Sequence, residues 1–461
     1  MSTVVTINPA TGEKLEEYPG LDAAGLDAAL QRTWDAQRSW RHTPISERAS
    51  LLRNVAKLLR DEVDDHARLI SLEMGKPITE ARAEVLKCAV TCDYYAEHAE
   101  EFLANKEVAT EAVTSFVSYE PLGVVLAVMP WNFPYWQVIR FAAPALTSGN
   151  GGLLKHASNV TGAALALHDL FVRAGYPADV FQTLVLTQHS MVNDIIADAR
   201  VAAVTLTGSE GAGAQVAEAA GRALKKTVLE LGGSDPFVIL GDADVPAITP
   251  LAVRARFVNT GQSCLCAKRF VVDKQVIADF EARVGEAVAA LKIGDPLNDT
   301  TQIGPLAKPS FVDDIDAQVQ QSLAMGARLI TGGHRLDGPG NFYAPTVLAD
   351  VTPDMPVFNQ ETFGPVMAIV KADGAENAIE LADASQYGLA ASIWTADMNA
   401  GLELGKGINS GALFVNGVVV SDPRLPFGGV KLSGYGRELS IEGMHEFTNV
   451  RAVWAGAMPR A

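Results

Sequence analysis

The sequence predicts an α/β protein built on parallel sheets, divided into two α/β domains. Three observations lead there. The chain has 461 residues, 48% of them hydrophobic, enough for two or three domains with a sizeable buried core. Between Gly123 and Leu240 short apolar, β-rich runs alternate with helical stretches, and the alternation restarts after Asp242. The runs are nearly continuous in apolar residues, as strands buried on both faces of a parallel sheet must be.

In chain order, Leu21 to Glu101 is helical: Leu51, Leu52, Val55, Leu58 and Leu59 recur at three-and-four spacing with charges between them. Asn105 to Tyr119 changes character. Val108, Val113, Phe116, Val117 and Tyr119 read as an extended, hairpin-like segment, either an ordinary meander or an arm that packs on a partner subunit. The runs GVVLAVMP, GGLLKHA, VFQTLVL, VAAVTLTGS, KTVLELGG and PFVIL follow, with helical segments 161–174 and 211–221 among them. A boundary is expected near Gly232–Gly233. Beyond it come RFVVD, helices over 275–292 and 310–325, then RLITGG and VMAIV. The glycine-rich stretch 413–440 reads as shaped loops around a site.

Charge and composition exclude several classes. Thirty-seven basic against 54 acidic residues give a net charge of −17, which opposes general nucleic-acid binding. The longest apolar stretch, Leu122 to Met129, is far too short to span a membrane. The opening MSTVVTINPATGEK has neither a basic leader with an apolar core nor a small-residue cleavage site. Four cysteines are no disulfide scaffold, so a cytoplasmic globular protein is expected.

Several segments carry groups capable of chemistry. In VTLTGSEGAG a strand runs into a helix through Gly208 and Ser209, leaving free N–H groups and a positive dipole end suited to a phosphate. The spacing is not GxGxxG, because Val216 stands where a third glycine would, and Gly and Ser also shape ordinary turns. Lys155 ends a buried strand at the sheet edge where ligands bind, with Ser158 three residues on; it either reaches solvent or meets a ribose or phosphate. In FVNTGQSCLCAKR, Cys264 lies in a polar setting beside Gly261, while Cys266 reads as a packed thiol or one half of an oxidisable pair. Cys88 and Cys92, four apart on a helix, read as core, and no set of residues at ligand spacing favours a metal. His42, His66, His98, His168, His189 and His445 read as surface or helix residues; neither His156 nor His334 is an evident base for Cys264. Glu230 ends an apolar strand, where an acid must be paired or functional. Asn132, between prolines in PWNFP, is a rigid amide of the kind an oxyanion site uses.

Together these segments resemble the aldehyde dehydrogenase superfamily, from INPATG at the start to SGYGRE near the end. PWNFP, LELGGSDP, NTGQSC, NQETFGPV and LPFGGVKLSGYGRE match its motifs in the family's order, closest to the pattern of NADP-dependent succinate-semialdehyde dehydrogenases. The resemblance implies a Rossmann-like cofactor domain (1–102 and 122–231), a catalytic domain (232–435) and a bridging, oligomerising arm (103–121 and 436–461), with a homodimer or a dimer of dimers. It implies Cys264 as nucleophile, Asn132 with the Cys264 N–H as oxyanion site, and Glu230 as activator of the hydrolytic water. For the cofactor it places Lys155 and Ser158 at the adenosine ribose, Ser209 at the pyrophosphate and Glu361 at the nicotinamide ribose. Phe363 lies beside the ring, with Trp131, Gly208 and Leu231 completing the site. Serine at 158, where NAD-preferring members often carry glutamate, removes a charge that would repel a 2′-phosphate; NADP is expected, with NAD the second choice.

For the substrate the resemblance implies Arg140 as the anchor of a distal carboxylate, helped by Ser421, since a planar guanidinium meets both carboxylate oxygens. Some members add an arginine just before NTGQ; here that residue is Val258. The expected reaction is oxidation of succinate semialdehyde to succinate. The alternatives are glutarate semialdehyde, an uncharged aliphatic aldehyde, or a thiol esterase without redox chemistry. A Cys264–Cys266 redox link is a further expectation.

Overall fold

The computed structural model describes residues 2–188 and 190–457, so His189 and the last four residues of the expected 436–461 segment lie outside it. Four N-terminal helices, Ala23–Trp40, Ile45–Asp61, Val63–Met74 and Ile78–Phe102, cover the first domain. The apolar stripe behaves as its spacing dictates: Leu52, Val55 and Leu59 are fully buried, with Leu51 and Leu58 packed at the edge of the same core.

The first sheet is built from β1 (Val124–Met129), β2 (Gly151–His156), β3 (Phe181–Thr183), β4 (Val201–Thr207) and β5 (Lys226–Glu230). All four pairings among them are parallel, β5–β4–β1–β2–β3 across the sheet. The order reverses around β1, so loops after β1 and β4 diverge at the carboxyl edge and open a crevice. The second sheet comprises β6 (Asp235–Ile239), β7 (Ala267–Asp273), β8 (Arg328–Thr331), β9 (Thr346–Ala349), β10 (Val366–Ala372), β11 (Ala390–Trp394) and β12 (Ala412–Val415), in the order β8–β9–β10–β7–β6–β11–β12. Its pairings are parallel except β8 with β9, where RLITGG forms an antiparallel edge. The run PFVIL, which followed the first alternation in sequence, is a central strand of this second sheet.

The chain then returns to the first domain. A short strand β13 (Gly434–Tyr435) pairs antiparallel with β5, placing Gly434 opposite Glu230. Leu439, Met444 and Phe447 are buried in the first domain's core, so the segment after Gly436 begins as part of that domain. Only then does Thr448–Ala455 run antiparallel to Thr114–Pro121, with Lys106–Glu107 as third strand. This small sheet carries exposed Val113, Val450 and Trp454. Among the described residues, no helix is long and apolar enough to cross a membrane.

Candidate active site

The carboxyl ends of β1, β4 and β5 and the loop before β7 converge on one cleft of about 580 Å3, lined by Asn132, Gly208, Ser209, Leu231, Cys264 and Glu361, among others. A second cavity of about 180 Å3 also reaches Cys264 and is lined by Lys87, Trp136, Arg140, Arg254 and Ser421. The thiol therefore stands where two spaces meet.

Its loop has an unusual backbone. The helix Val245–Phe257, capped by Asp244 through Ala247 N at 3.2 Å, ends at Val258. Asn259, Thr260 and Gly261 then all take left-handed conformations, φ 53, 55 and 75°. Gly261 is required by space as well: a Cβ there would lie 2.2 Å from the Gly364 carbonyl oxygen. Lys268, fully buried on β7, donates to the carbonyls of Ser263 and Cys264, both at 2.9 Å, and pairs with Glu361 at 3.3 Å. Burial pushes the Cys264 thiol up to about 12, with Lys268 the leading opposing charge and Arg140 next.

Asn132 is buried in the loop after β1. Its Nδ2 donates to Gln262 O at 3.2 Å, and its backbone carbonyl accepts from Asn259 Nδ2 at 2.8 Å, so the residue is locked to the loop that carries Cys264. The helix Trp136–Thr147 that follows is capped by Glu84, which accepts from Tyr135 N and Trp136 N at 2.9 and 3.0 Å and pairs with buried Lys76.

Glu230 ends β5, opposite Thr207 on β4. Its Oε1 is buried with no hydrogen-bond partner among the described residues. Burial, then the neighbouring Glu438 carboxylate, push it well above the usual carboxylate range, against Arg140 and Arg437. Arg140 lines the smaller cavity, but not as a free cation. Its Nε is ion-paired with buried Glu438, Nη2 donates to Thr207 Oγ1 at 3.2 Å, and the guanidinium lies 4.7 Å from the Phe427 ring. Ser421 is buried in that cavity, 2.5 Å from Lys87 Nζ.

Ser209 caps the helix Glu210–Arg222, accepting from Ala212 N at 3.4 Å, and leaves the first N–H groups facing the cleft end. Trp131 stacks on Phe311 at 4.9 Å and meets Phe363 edge-on at 5.7 Å, forming an aromatic wall. Glu361 accepts from Gly233 N at 3.0 Å. Lys155, near the end of β2, and the exposed Ser158 just after it lie along the same sheet edge and do not line the cleft itself. Cys266 is buried, lines neither cavity, and donates to Val258 O at 3.5 Å; all four cysteines are free thiols. Among the described residues no histidine lines either cavity reached by Cys264. His156 is instead buried against the carbonyls of Met129 and Pro134, which offset only part of the burial that brings it down to about 4.

Residues 1–453 match the family model described as the aldehyde dehydrogenase family. The chain belongs to the aldehyde dehydrogenase family. It is 51% identical over 98% of its length to a probable succinate-semialdehyde dehydrogenase [NADP(+)] of Synechocystis, of which it covers 99%. It is 48% identical, over 98% of its length and 97% of the relative's, to succinate semialdehyde dehydrogenase [NAD(P)+] Sad of Escherichia coli K12. Its fold matches the solved succinic semialdehyde dehydrogenase of Streptococcus pyogenes in complex with NADP+ with a TM-score of 0.96, at 39% identity over 98% of this chain and 100% of that one.

The residues of this aldehyde dehydrogenase fit a dinucleotide. A helix N-terminus with Gly208 and Ser209 opens onto the cleft, aromatic rings line it, and Lys155 has no ion-pair or hydrogen-bond partner within the described chain. Burial and then Lys308 pull the Lys155 pKa down, a strain that an arriving anion relieves. Lys268, Lys87, Arg254 and Glu438 were not singled out in the sequence. Only Lys268 carried a visible signal, a lysine beside Arg269 at the head of a strand that continues in apolar residues.

Proposed function

We propose that this chain oxidises succinate semialdehyde to succinate with NADP as the preferred hydride acceptor, NAD being the weaker one. The observation that carries the reading is Cys264 lining both cavities, with the Asn132 amide tied to its loop. The 51% identity to the Synechocystis enzyme supports the substrate and cofactor. When bound, the nicotinamide accepts the hydride.

Cys264 Sγ gives its proton to solvent water and attacks the aldehyde carbon as the thiolate, and the carbonyl π pair moves onto oxygen as the C–S bond forms. Asn132 Nδ2 and the Cys264 backbone N–H receive the developing oxyanion, each well-placed donor being worth roughly 3–4 kcal/mol of barrier. Loss of hydride from the thiohemiacetal leaves a thioester on Cys264. Glu230, once deprotonated, takes a proton from the water that attacks this thioester, releasing succinate and the free thiol. Arg140 and Ser421 line the cavity that takes the carboxylate end of the substrate. Lys155 and Ser158 hold the adenosine ribose and its phosphate, Ser209 and Gly208 the pyrophosphate, Glu361 the nicotinamide ribose, while Trp131, Leu231 and Phe363 pack around the ring. The domains expected above, with the cofactor domain ending at Leu231 and the catalytic domain starting at Gly232, are the units between which this cleft lies. The sheet of Thr114–Pro121 and Thr448–Ala455, with its exposed apolar side chains, is proposed as a dimer contact.

The test is reduction of NADP, followed by absorbance, on adding succinate semialdehyde to the wild type and to Cys264→Ser. Rapid wild-type turnover abolished in the variant is expected; undiminished turnover in the variant overturns the mechanism.

A further inference from the structure

Arg140, the cation expected to hold the substrate's carboxylate, is already paired with Glu438, so together they bring little net charge to the smaller cavity. Two other cations line the same wall. Lys87 projects from the helix Ile78–Phe102, its ammonium 4.0 Å from the centre of the Trp136 ring and 2.5 Å from Ser421 Oγ. The acids that act on it are engaged elsewhere: Glu84 with Lys76 and two backbone N–H groups, Asp422 with Arg424. Of its three donors, Ser421 occupies one. Arg254 stands one helical turn before Val258, on the same face of its helix, and its side chain forms no ion pair or hydrogen bond among the described residues. It is exposed, whereas Lys87 is half-buried.

We propose that Lys87, seated on Ser421, receives the distal carboxylate of the aldehyde, and that Arg254 at the mouth draws the anion in. Lys87 is thus the specificity-determining residue of the channel, and Arg254 supplies from one turn earlier the charge that Val258 lacks. The proposal rests on the reading of a carboxylated aldehyde as substrate and names what recognises its far end. Burial and then Arg140 bring the Lys87 ammonium down to about 8, so an incoming carboxylate relieves a desolvated cation. A charge-assisted contact in such a cavity discriminates strongly, because an uncharged substrate leaves the ammonium without a counter-ion.

The experiment compares kcat/KM for succinate semialdehyde and for butanal in wild type, Lys87→Met, Lys87→Gln, Lys87→Arg and Arg254→Gln. In Lys87→Met and Lys87→Gln the preference for succinate semialdehyde falls about tenfold or more, chiefly through KM. Lys87→Arg retains most of it, which a merely structural lysine would not require. In Arg254→Gln the preference falls about twofold to fivefold, and the loss shrinks as salt rises. Independently of turnover, succinate raises the melting temperature of the cofactor-free wild type and moves Lys87→Met much less. An unchanged preference in both neutral Lys87 variants, or equal shifts with succinate, overturns the assignment. A wild type that does not favour succinate semialdehyde over butanal overturns the substrate reading itself, and this inference with it.

Discussion

Lys268 offers the sharpest test of how the Cys264 loop is held. Lys268→Met keeps an unbranched stem in the buried strand and removes only the ammonium. Two hydrogen bonds from a charged donor are lost, each worth about 1.5–3 kcal/mol, to the Ser263 and Cys264 carbonyls at 2.9 Å. Glu361 also loses its cation and keeps only Gly233 N. Because one ammonium serves all three acceptors, the losses overlap, and a net destabilisation of about 3–5 kcal/mol is expected. The same change acts on the thiol. Lys268 is the leading charge opposing the burial that lifts Cys264 to about 12, so its removal lifts the thiol further. Each unit of rise lowers the thiolate fraction about tenfold at fixed pH.

Both effects are measurable. Denaturant unfolding gives the stability difference, and adding Glu361→Gln to Lys268→Met recovers about 1–3 kcal/mol of it, since the stranded carboxylate is removed. Iodoacetamide alkylation of the cofactor-free protein at about pH 8 reports the thiolate, with Cys264→Ser as blank; Cys88, Cys92 and Cys266 are all buried. The rate falls by about tenfold in Lys268→Met. Wild-type alkylation together with wild-type stability would refute the picture of Lys268 as the clamp of the nucleophile loop.

Asn132→Ala lowers kcat about a hundredfold or more; stopped-flow and steady-state rates check this, with iodoacetamide labelling confirming that Cys264 remains accessible. Burial pushes the Cys264 thiol up to about 12, so it rests protonated at neutrality. The reactive form is the thiolate, so kcat/KM rises with pH between about pH 7 and 9, and a flat profile contradicts the assignment. Glu73, which caps the helix Thr161–Arg173 through Gly162 N and Ala163 N, is raised by burial from 4.5 to about 7. A carboxyl whose folded pKa is raised gives its full stability below the unfolded value and loses it as pH climbs through the folded one. Glu73→Gln mimics the protonated form, so calorimetry finds wild type losing up to about 3 kcal/mol relative to the variant between about pH 4 and 8.

The strands of the first sheet, and PFVIL, RFVVD and VMAIV of the second, were legible because burial on both faces leaves an unbroken apolar run. Thr346–Ala349, Ala390–Trp394 and Ala412–Val415 were not singled out, the last lying at the start of a glycine-rich stretch read as loops. The helix over 51–59 was legible for the complementary reason, one face in water and one in the core. Strand β13 was not. Two residues, Gly434 and Tyr435, carry no periodicity, and their pairing with β5 arises from the chain's return across the domain boundary. Glu230 announced itself as an acid at the end of an apolar strand. Glu438, which reaches Arg140, lies more than 200 positions away in a loop whose glycines spoke only of shape. Lys87 was hidden more thoroughly. On a helix of mixed polarity a lysine at the edge of a buried stripe reads as a solvated charge. Nothing local reveals that Trp136 and Ser421 close over it.

That concealment has a physical origin in the chain's overall charge. A protein of net charge −17 repels an anionic aldehyde and an anionic dinucleotide alike, so each must meet cations within its own short-ranged field. The cations are held apart. On the proposed reading Lys155, with Lys308 nearby, serves the cofactor's phosphate along one sheet edge, whereas Lys87 and Arg254 serve the carboxylate in the smaller cavity. The two spaces meet at Cys264, where the net field must be close to neutral if neither a thiolate nor a protonated carboxyl is to be frozen in place. Arg140 contributes to this by pairing with Glu438 while its charge opposes the upward pressure on Glu230. A free Arg140 would hold substrate more tightly while leaving Glu438 as a bare buried charge beside Glu230, raising that carboxyl further from any useful range. Moving the carboxylate contact to Lys87 lets Arg140 remain the counter-ion of the acid pair.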